Sequence, residues 1–249
     1  MGGHDKLFRL DRQATLICTL LRGFGGRRAE HLIRNLNLSF LHSFYYAALE
    51  FASDTTARPI TYYEFGVGGG ETLQNYIEAL KAFVKDHGRT FKDHKIVLFD
   101  SFKGLPSKRG YEDDHVTWHE GKFSHSTEEI KALLAKRGLN PNSDDIRFIE
   151  GYYADSLSEN LRNSLTASPP DLVTIDCDYY SSTKLVLDWL RPILRNGCLF
   201  YFDDVWAFCG NPKRGELKAI NEFNELGEGT LTVFPLIPTT QDRCYLYSV

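Results

Sequence analysis

The chain predicts an α/β domain, a mostly parallel sheet with helices on both faces and an antiparallel pair of strands at its C-terminal edge. Two observations carry this. Short apolar runs rich in aromatic and β-branched residues alternate with segments whose apolar residues recur every three or four positions, the order that builds a parallel sheet covered on both sides. The last two apolar runs, "TLTVFPL" and "RCYLYSV", instead follow one another across a short polar turn around "PTTQD", the pattern of a hairpin.

Taken in order, the stretch "RRAEHLIRNLNLSFLHSFYYAALEFA" has helical spacing and predicts one or two helices ending before Pro59. "ITYYEFG" is a strand. "GETLQNYIEALKAFVKDHG" repeats apolar residues at Leu73, Tyr76, Ile77, Leu80 and Phe83, a helix that Gly88 stops. "HKIVLFD" is the second strand, "STEEIKALLAKRG" a helix capped by Ser126 or Thr127, and "IRFIEG" the third strand. "DLVTID" and "CLFYFDD" follow as strands separated by the helix "STKLVLDWLRPIL". Residues 101–126 form the longest connection without periodicity, and such segments in compact domains are commonly lids or binding loops.

Composition narrows the function. With 249 residues, 42% of them hydrophobic, the chain is long enough for one large domain with a sizeable core. A net charge of -4 with no polybasic stripe argues against nucleic acid as a partner. No apolar run approaches the roughly 18 residues of a membrane span, and "MGGHDKLFRLDRQ" lacks the apolar centre of a signal peptide, so a cytoplasmic protein is expected. Cys18, Cys177, Cys198, Cys209 and Cys244 form no C-x-x-C pair, which points to free thiols. His115, His119 and His125 share one polar segment without metal-ligand spacing and are expected in a solvated loop.

The glycine-rich turn "EFGVGGGETL" joins the first strand to the next helix, at the edge where open parallel sheets bind ligands. Gly66, Gly68, Gly69 and Gly70 allow a sharp turn and close approach of a ligand. A dinucleotide fingerprint needs a small residue at the sixth position, where Glu71 stands, and Glu64 would repel a pyrophosphate. Glu64 suits a cationic amino-acid moiety, and Asp100, ending the second strand, suits the two ribose hydroxyls. S-adenosylmethionine meets both requirements. The competing readings are a turn that merely turns with Asp100 capping the next loop, a non-catalytic nucleoside-binding module, and an NAD-dependent enzyme with a degenerate fingerprint.

In order along the chain, "YEFGVGGGETL", "FDSFKGLP", "WHEGKF", "IEGYYADSL", "IDCDYYSSTK" and "FYFDDVW" resemble the blocks of the macrocin O-methyltransferase (TylF-like) family, from about Tyr62 to Glu225. The resemblance implies a Rossmann-like class I methyltransferase fold with a seven-stranded sheet whose last strand is reversed, and methylation of a hydroxyl on a small molecule or sugar. It implies a divalent cation, usually magnesium, held by Asp176, Asp203 and Asp204; the family's D-G-D reads D-C-D here, with Cys177 in the middle. The cofactor contacts expected on this basis are Glu64, Gly66, Gly68, Gly70, Thr72, Asp100, Ser101, Gly151, Tyr152 and Asp176. Asp178 is the first candidate for the general base, acting with Asp176, and His119 and His125 are the alternatives. Trp118 and Phe123 are placed to cover the donor from the lid. The expected layout is a helical substrate and lid region over residues 1–58 and the methyltransferase domain over 59–249, with homo-oligomerisation left open. Against these roles stand helix capping near Ser181 by Asp176 or Asp178, and satisfaction of the "VWAFCGNPKRGE" loop by Asp203 and Asp204.

Overall fold

Parallel pairing of strands whose residues are buried on both faces requires two covering layers, and the chain supplies them. The computed structural model describes residues 27–234 and 243–249. The described elements are α1 (Arg27–Thr55), β1 (Ile60–Phe65), α2 (Glu71–His87), β2 (His94–Asp100), α3 (Thr127–Lys136), β3 (Ile146–Glu150), α4 (Tyr153–Ser156), α5 (Glu159–Leu165), β4 (Leu172–Ile175), α6 (Tyr180–Leu190), β5 (Leu199–Phe202), α7 (Gly215–Glu225), β6 (Thr230–Val233) and β7 (Arg243–Ser248). The seven-stranded sheet runs β3-β2-β1-β4-β5-β7-β6, with β7 antiparallel to β5 and to β6. The expected hairpin is therefore present as paired strands. Its turn around "PTTQD", together with Cys18, lies outside the described residues.

Side chains alternate between the two layers as the pleat demands. Ile60 and Tyr62 of β1, Ile96 and Leu98 of β2 and Leu199 and Tyr201 of β5 pack into a cluster with α1, α2 and α3. Tyr63 and Phe65, Val97 and Phe99, and Phe200 and Phe202 face α5, α6 and α7. Helix α1 buries Leu41, Phe44, Tyr45, Ala48, Leu49 and Ala52, a three-to-four-residue stripe that lies on the sheet. One continuous helix thus occupies the segment expected to hold one or two.

Local signals set the helix ends. Gly88, at φ 61, closes α2 by donating its N–H to Val84 O, a left-handed cap that glycine adopts without steric cost. Ser126 is the cap of α3, and a capping box joins it to Glu129. Helix α5, capped by Ser158, has only seven residues, too few for a periodic pattern to show in the sequence. Helix α6 begins at Tyr180, two residues before the apolar periodicity suggests. No helix among the described residues is long and apolar enough to cross a membrane.

The crossing from β1 to β4 is where strand order reverses, and Gly66 sits at that point. Its φ is 85, and an added Cβ would lie 1.7 Å from the Asp176 carbonyl oxygen. Both backbone and space exclude a side chain here. Gly66→Ala is expected to lower unfolding free energy by about 3 kcal/mol, read from urea denaturation of the two proteins side by side.

Candidate active site

The carboxyl ends of β1 to β5 open into a cavity of about 940 Å³. This is the edge at which doubly wound sheets take their ligands. The turn after β1 contributes Gly66, Val67, Gly68 and Gly69, β2 contributes Asp100 and Ser101, and the turn after β3 contributes Gly151 and Tyr152. Asp176, Cys177 and Asp178 follow β4, and Asp203 and Asp204 follow β5.

Asp100 organises the glycine turn. Its Oδ2 accepts from the backbone N–H of Val67 at 2.7 Å and Gly68 at 3.0 Å, and its Oδ1 accepts from Phe102 N–H at 2.7 Å. It therefore caps its own loop and still faces the cavity. Gly68, at φ 47, has nothing within 4 Å of where a Cβ would be, so its open side is the cavity itself. Thr72 lines the same wall, with its hydroxyl 3.5 Å from Asp176 Oδ2. Ser101 donates to Gly104 O and accepts from Lys103 N–H, which closes the first turn of the lid.

Two expected cofactor contacts do not reach the cavity. Gly70, at φ 77, forms the left-handed N-cap of α2, and its Cα faces Leu133 and Ile130 of α3. Glu64 alternates with Tyr62 on β1 and so points toward α1 and α2 rather than out of the sheet's end. It is fully buried, accepts from the Tyr62 hydroxyl at 2.9 Å, and joins a network in which Tyr62 and Tyr45 both bond Thr174. Burial pushes its carboxyl up to about 8, with the Asp100 charge adding to the rise and the Tyr62 hydrogen bond opposing it. A hydrogen bond of about 1 kcal/mol does not offset the removal of a carboxylate from water, so the neutral form is the one the core accepts.

At the other end of the cavity, carboxylates crowd. Asp176, Asp178 and Asp204 each place an oxygen within 4.8 Å of the others, a spacing that could hold a metal ion. The expected trio differs by one member: Asp203 turns its Oδ1 to the Tyr201 hydroxyl at 2.8 Å, and Asp178 takes its place in the tight set. Burial raises the Asp176 carboxyl well above the usual range, helped by Asp203, Asp204 and Asp178. Asp178 is pushed up to about 7 by burial and the Asp203 charge, while Lys122 of the lid pulls it down.

Asp178 stands at the tip of a three-residue turn in which Tyr179 N–H bonds Cys177 O at 2.6 Å, with φ 60 at Asp178 itself. The left-handed residue of "DCD" is thus the second aspartate, a type that tolerates the conformation, and not Cys177. Cys177 is buried, its Sγ 3.5 Å from Phe65 O. Strain of this kind concentrates at functional positions.

The sequence reading missed two residues. Glu216, in the first turn of α7, is fully buried and accepts from Asp204 N–H at 2.9 Å; its carboxyl is raised by burial and by Asp204 and Asp203. Asp113, in the lid, is 1% exposed and takes the capping role considered for Asp176 or Asp178, accepting from Ser181 N–H at 3.0 Å and Ser181 Oγ at 2.7 Å. Helical periodicity carries no trace of either, because both act across long sequence separations. Leu105, Trp118, Tyr179 and Phe208 make a small aromatic cluster that seats the lid. Trp118 and Phe123 line the cavity as expected, and so does His125, whose Nε2 would lie 3.4 Å from a Cβ at Gly69. Glu150 and His119 are exposed and lie outside the cavity wall.

A glycine turn at the switch point, a carboxylate ending β2 and acidic residues ending β4 and β5, on a sheet with a reversed seventh strand, define the α/β class of S-adenosylmethionine-dependent methyltransferases. The macrocin-O-methyltransferase (TylF) family model matches residues 63–226, and the chain belongs to that family. It is an S-adenosylmethionine-dependent O-methyltransferase. The structure is similar to the O-methyltransferase NovP (TM-score 0.62, 20% identity, covering 84% of this chain and 79% of that one). It is also similar to CalS11, a calicheamicin methyltransferase (TM-score 0.63, 22% identity, 99% and 93% covered). TomG from Streptomyces achromogenes, an O-methyltransferase of tomaymycin synthesis solved with SAM, resembles it at TM-score 0.53 and 15% identity (86% and 80% covered). At these identities the likeness is one of fold. No curated protein matches the chain by sequence.

The buried Glu64 sets a pH dependence. With a folded-state pKa of about 8 against an ordinary 4.5, it keeps its proton where the unfolded chain has lost it. That stability is fully present below about pH 4.5 and is lost as pH rises toward about 8. Glu64→Gln is expected to flatten the fall of melting temperature across this window, read from thermal melts at matched pH.

Proposed function

We propose that the protein methylates a hydroxyl of a sugar or sugar-bearing small molecule, with magnesium or a similar divalent cation at the acidic end of the cavity. The observation that carries this is the crowding of buried and half-buried aspartates beside the glycine turn in one cavity. Like charges held this close away from water raise one another's pKa unless a cation compensates, and carboxylate oxygens are the ligands magnesium favours. Asp176 and Asp204 belong both to the tight set and to the trio that the family resemblance implies. Asp203 keeps its Oδ2 as the third ligand, since Tyr201 occupies Oδ1. When bound, the cation supplies charge compensation and a Lewis acid for the acceptor oxygen.

Gly68 leaves room for the methionine moiety of the donor, and Gly66, Thr72 and Ser101 edge the same wall. Asp100 has lone pairs beyond those its backbone donors use and takes the ribose hydroxyls. Gly151 and Tyr152 border the adenine side. Asp178, lifted into the cavity by its turn, accepts the hydroxyl proton as the new carbon–oxygen bond forms and the carbon–sulfur bond breaks. S-adenosylhomocysteine and the proton on Asp178 are what remain. Trp118 and Phe123 exclude water, and the rest of the acceleration comes from holding donor and acceptor in line. NovP and CalS11, methyltransferases by their descriptions, support an acceptor of the natural-product type, and the setting in this reading is cytoplasmic.

Calorimetric titration with S-adenosylhomocysteine and with NAD, each with and without magnesium, tests the reading. Binding of S-adenosylhomocysteine and none of NAD is the expected result; tight binding of NAD alone would overturn it. Asp178→Asn separates base from ligand. Turnover is expected to drop about 10²–10⁴-fold, with manganese affinity, measured by electron paramagnetic resonance, moving only a few-fold. A collapse of manganese affinity would instead make Asp178 a ligand.

A further inference from the structure

Arg109 is a guanidinium without a partner in the wall of an acidic cavity. It lines the cavity along with six carboxylates, those of Glu71, Asp100, Asp176, Asp178, Asp203 and Asp204. Its side chain is exposed and makes no hydrogen bond or ion pair with any described residue. The other cations around the lid are engaged or lie elsewhere. Lys108 bonds Asp114 and the His115 carbonyl, and Lys122 bonds the Thr117 carbonyl and sits over the Phe123 ring. Arg214 donates to the carbonyls of Tyr111 and Asp114, and Lys103 does not line the cavity. A cation kept to neutralise the aspartates would be bridged to them. Lys122 lowers the Asp178 carboxyl from the lid, and Arg109 is bridged to no carboxylate among the described residues.

The backbone of Arg109 is nonetheless firmly held. Its N–H donates to Asp113 Oδ2 at 2.9 Å, and the same buried carboxylate grips Ser181 at the start of α6, directly after the Asp176–Asp178 loop. The side chain therefore starts from a point tied through Asp113 to the first turn of α6, and it lines the same cavity as the aspartates. A guanidinium offers two parallel N–H donors that match the oxygens of a phosphoryl or carboxylate group.

We propose that Arg109 anchors an anionic group, phosphoryl or carboxylate, carried by the methyl acceptor and set apart from the hydroxyl that is methylated. This rests on the O-methyltransferase reading and adds the charge of the substrate to it. A neutral acceptor would leave the one Lys or Arg side chain that lines the cavity among the described residues without use.

The test is calorimetry on the full chain loaded with S-adenosylhomocysteine and magnesium, titrated with glucose 1-phosphate, glucuronate and methyl glucoside. The expected result is that at least one charged sugar binds about tenfold more tightly than methyl glucoside, as a charge-assisted hydrogen-bond pair allows. Which of the two binds tells phosphoryl from carboxylate. That preference should vanish in Arg109→Gln and persist in part in Arg109→Lys, with S-adenosylhomocysteine affinity in both variants reporting an intact fold. Equal binding of charged and neutral sugars, no binding of any of them, or a preference that survives Arg109→Gln overturns the inference. Failure of the wild-type chain to bind S-adenosylhomocysteine is a different result, which removes the methyltransferase reading itself.

Discussion

Four aspartates and a glutamate share one end of this sheet, and the backbone leaves them no choice. β4 and β5 pair in parallel with Ile175 beside Phe202, and Asp203 N–H then bonds Ile175 O. The residues that follow each strand, Asp176 and Asp203, emerge side by side. Asp204 and Glu216 are added from behind through the Asp204 N–H. Burial raises the proton affinity of Asp176, Asp178, Asp203 and Glu216, and the proposed divalent cation would relieve it. The energetics of the fold and the chemistry proposed for it thus meet at one point.

The lid is tied to the same place. Asp113 reaches from the segment between β2 and α3 to the first turn of α6, and Trp118 packs on Tyr179 and Phe208, from the loops after β4 and β5. Because α6 begins immediately after the turn at Asp178, these contacts join the loop, the aspartates and the helix. Arg109 is tied to them through its N–H bond to Asp113. A loop with no visible periodicity is in this way held as firmly at its centre as a helix end.

Much of the fold was legible because it rests on local patterns. The strand and helix alternation, the Gly88 stop and the Ser126 cap are short-range features, and they appear as read. Helices α4, α5 and α7 are absent from the sequence pattern read above, the first two because they span only four and seven residues. The candidate site was legible as far as the ends of strands go: Asp100, Asp176, Asp203 and Asp204 stand at the cavity because their strands end there. Glu64 was misplaced for the same kind of reason. One position further back along β1, the pleat turns its side chain into the core, and a residue type alone does not report which face it takes.

The sequence by itself determined the order of the strands and of most of the longer helices, the glycine turn, and the chemical types available at the carboxyl edge, because these depend on neighbours a few residues apart. Only the tertiary structure decided which carboxylates converge, that Asp178 and not Cys177 carries the left-handed turn, that Asp113 caps α6 from 68 residues away, and that Arg109 lines the cavity with no partner among the described residues. Those outcomes depend on contacts between distant parts of the chain and on the space left between them. Residue spacing along a sequence records neither.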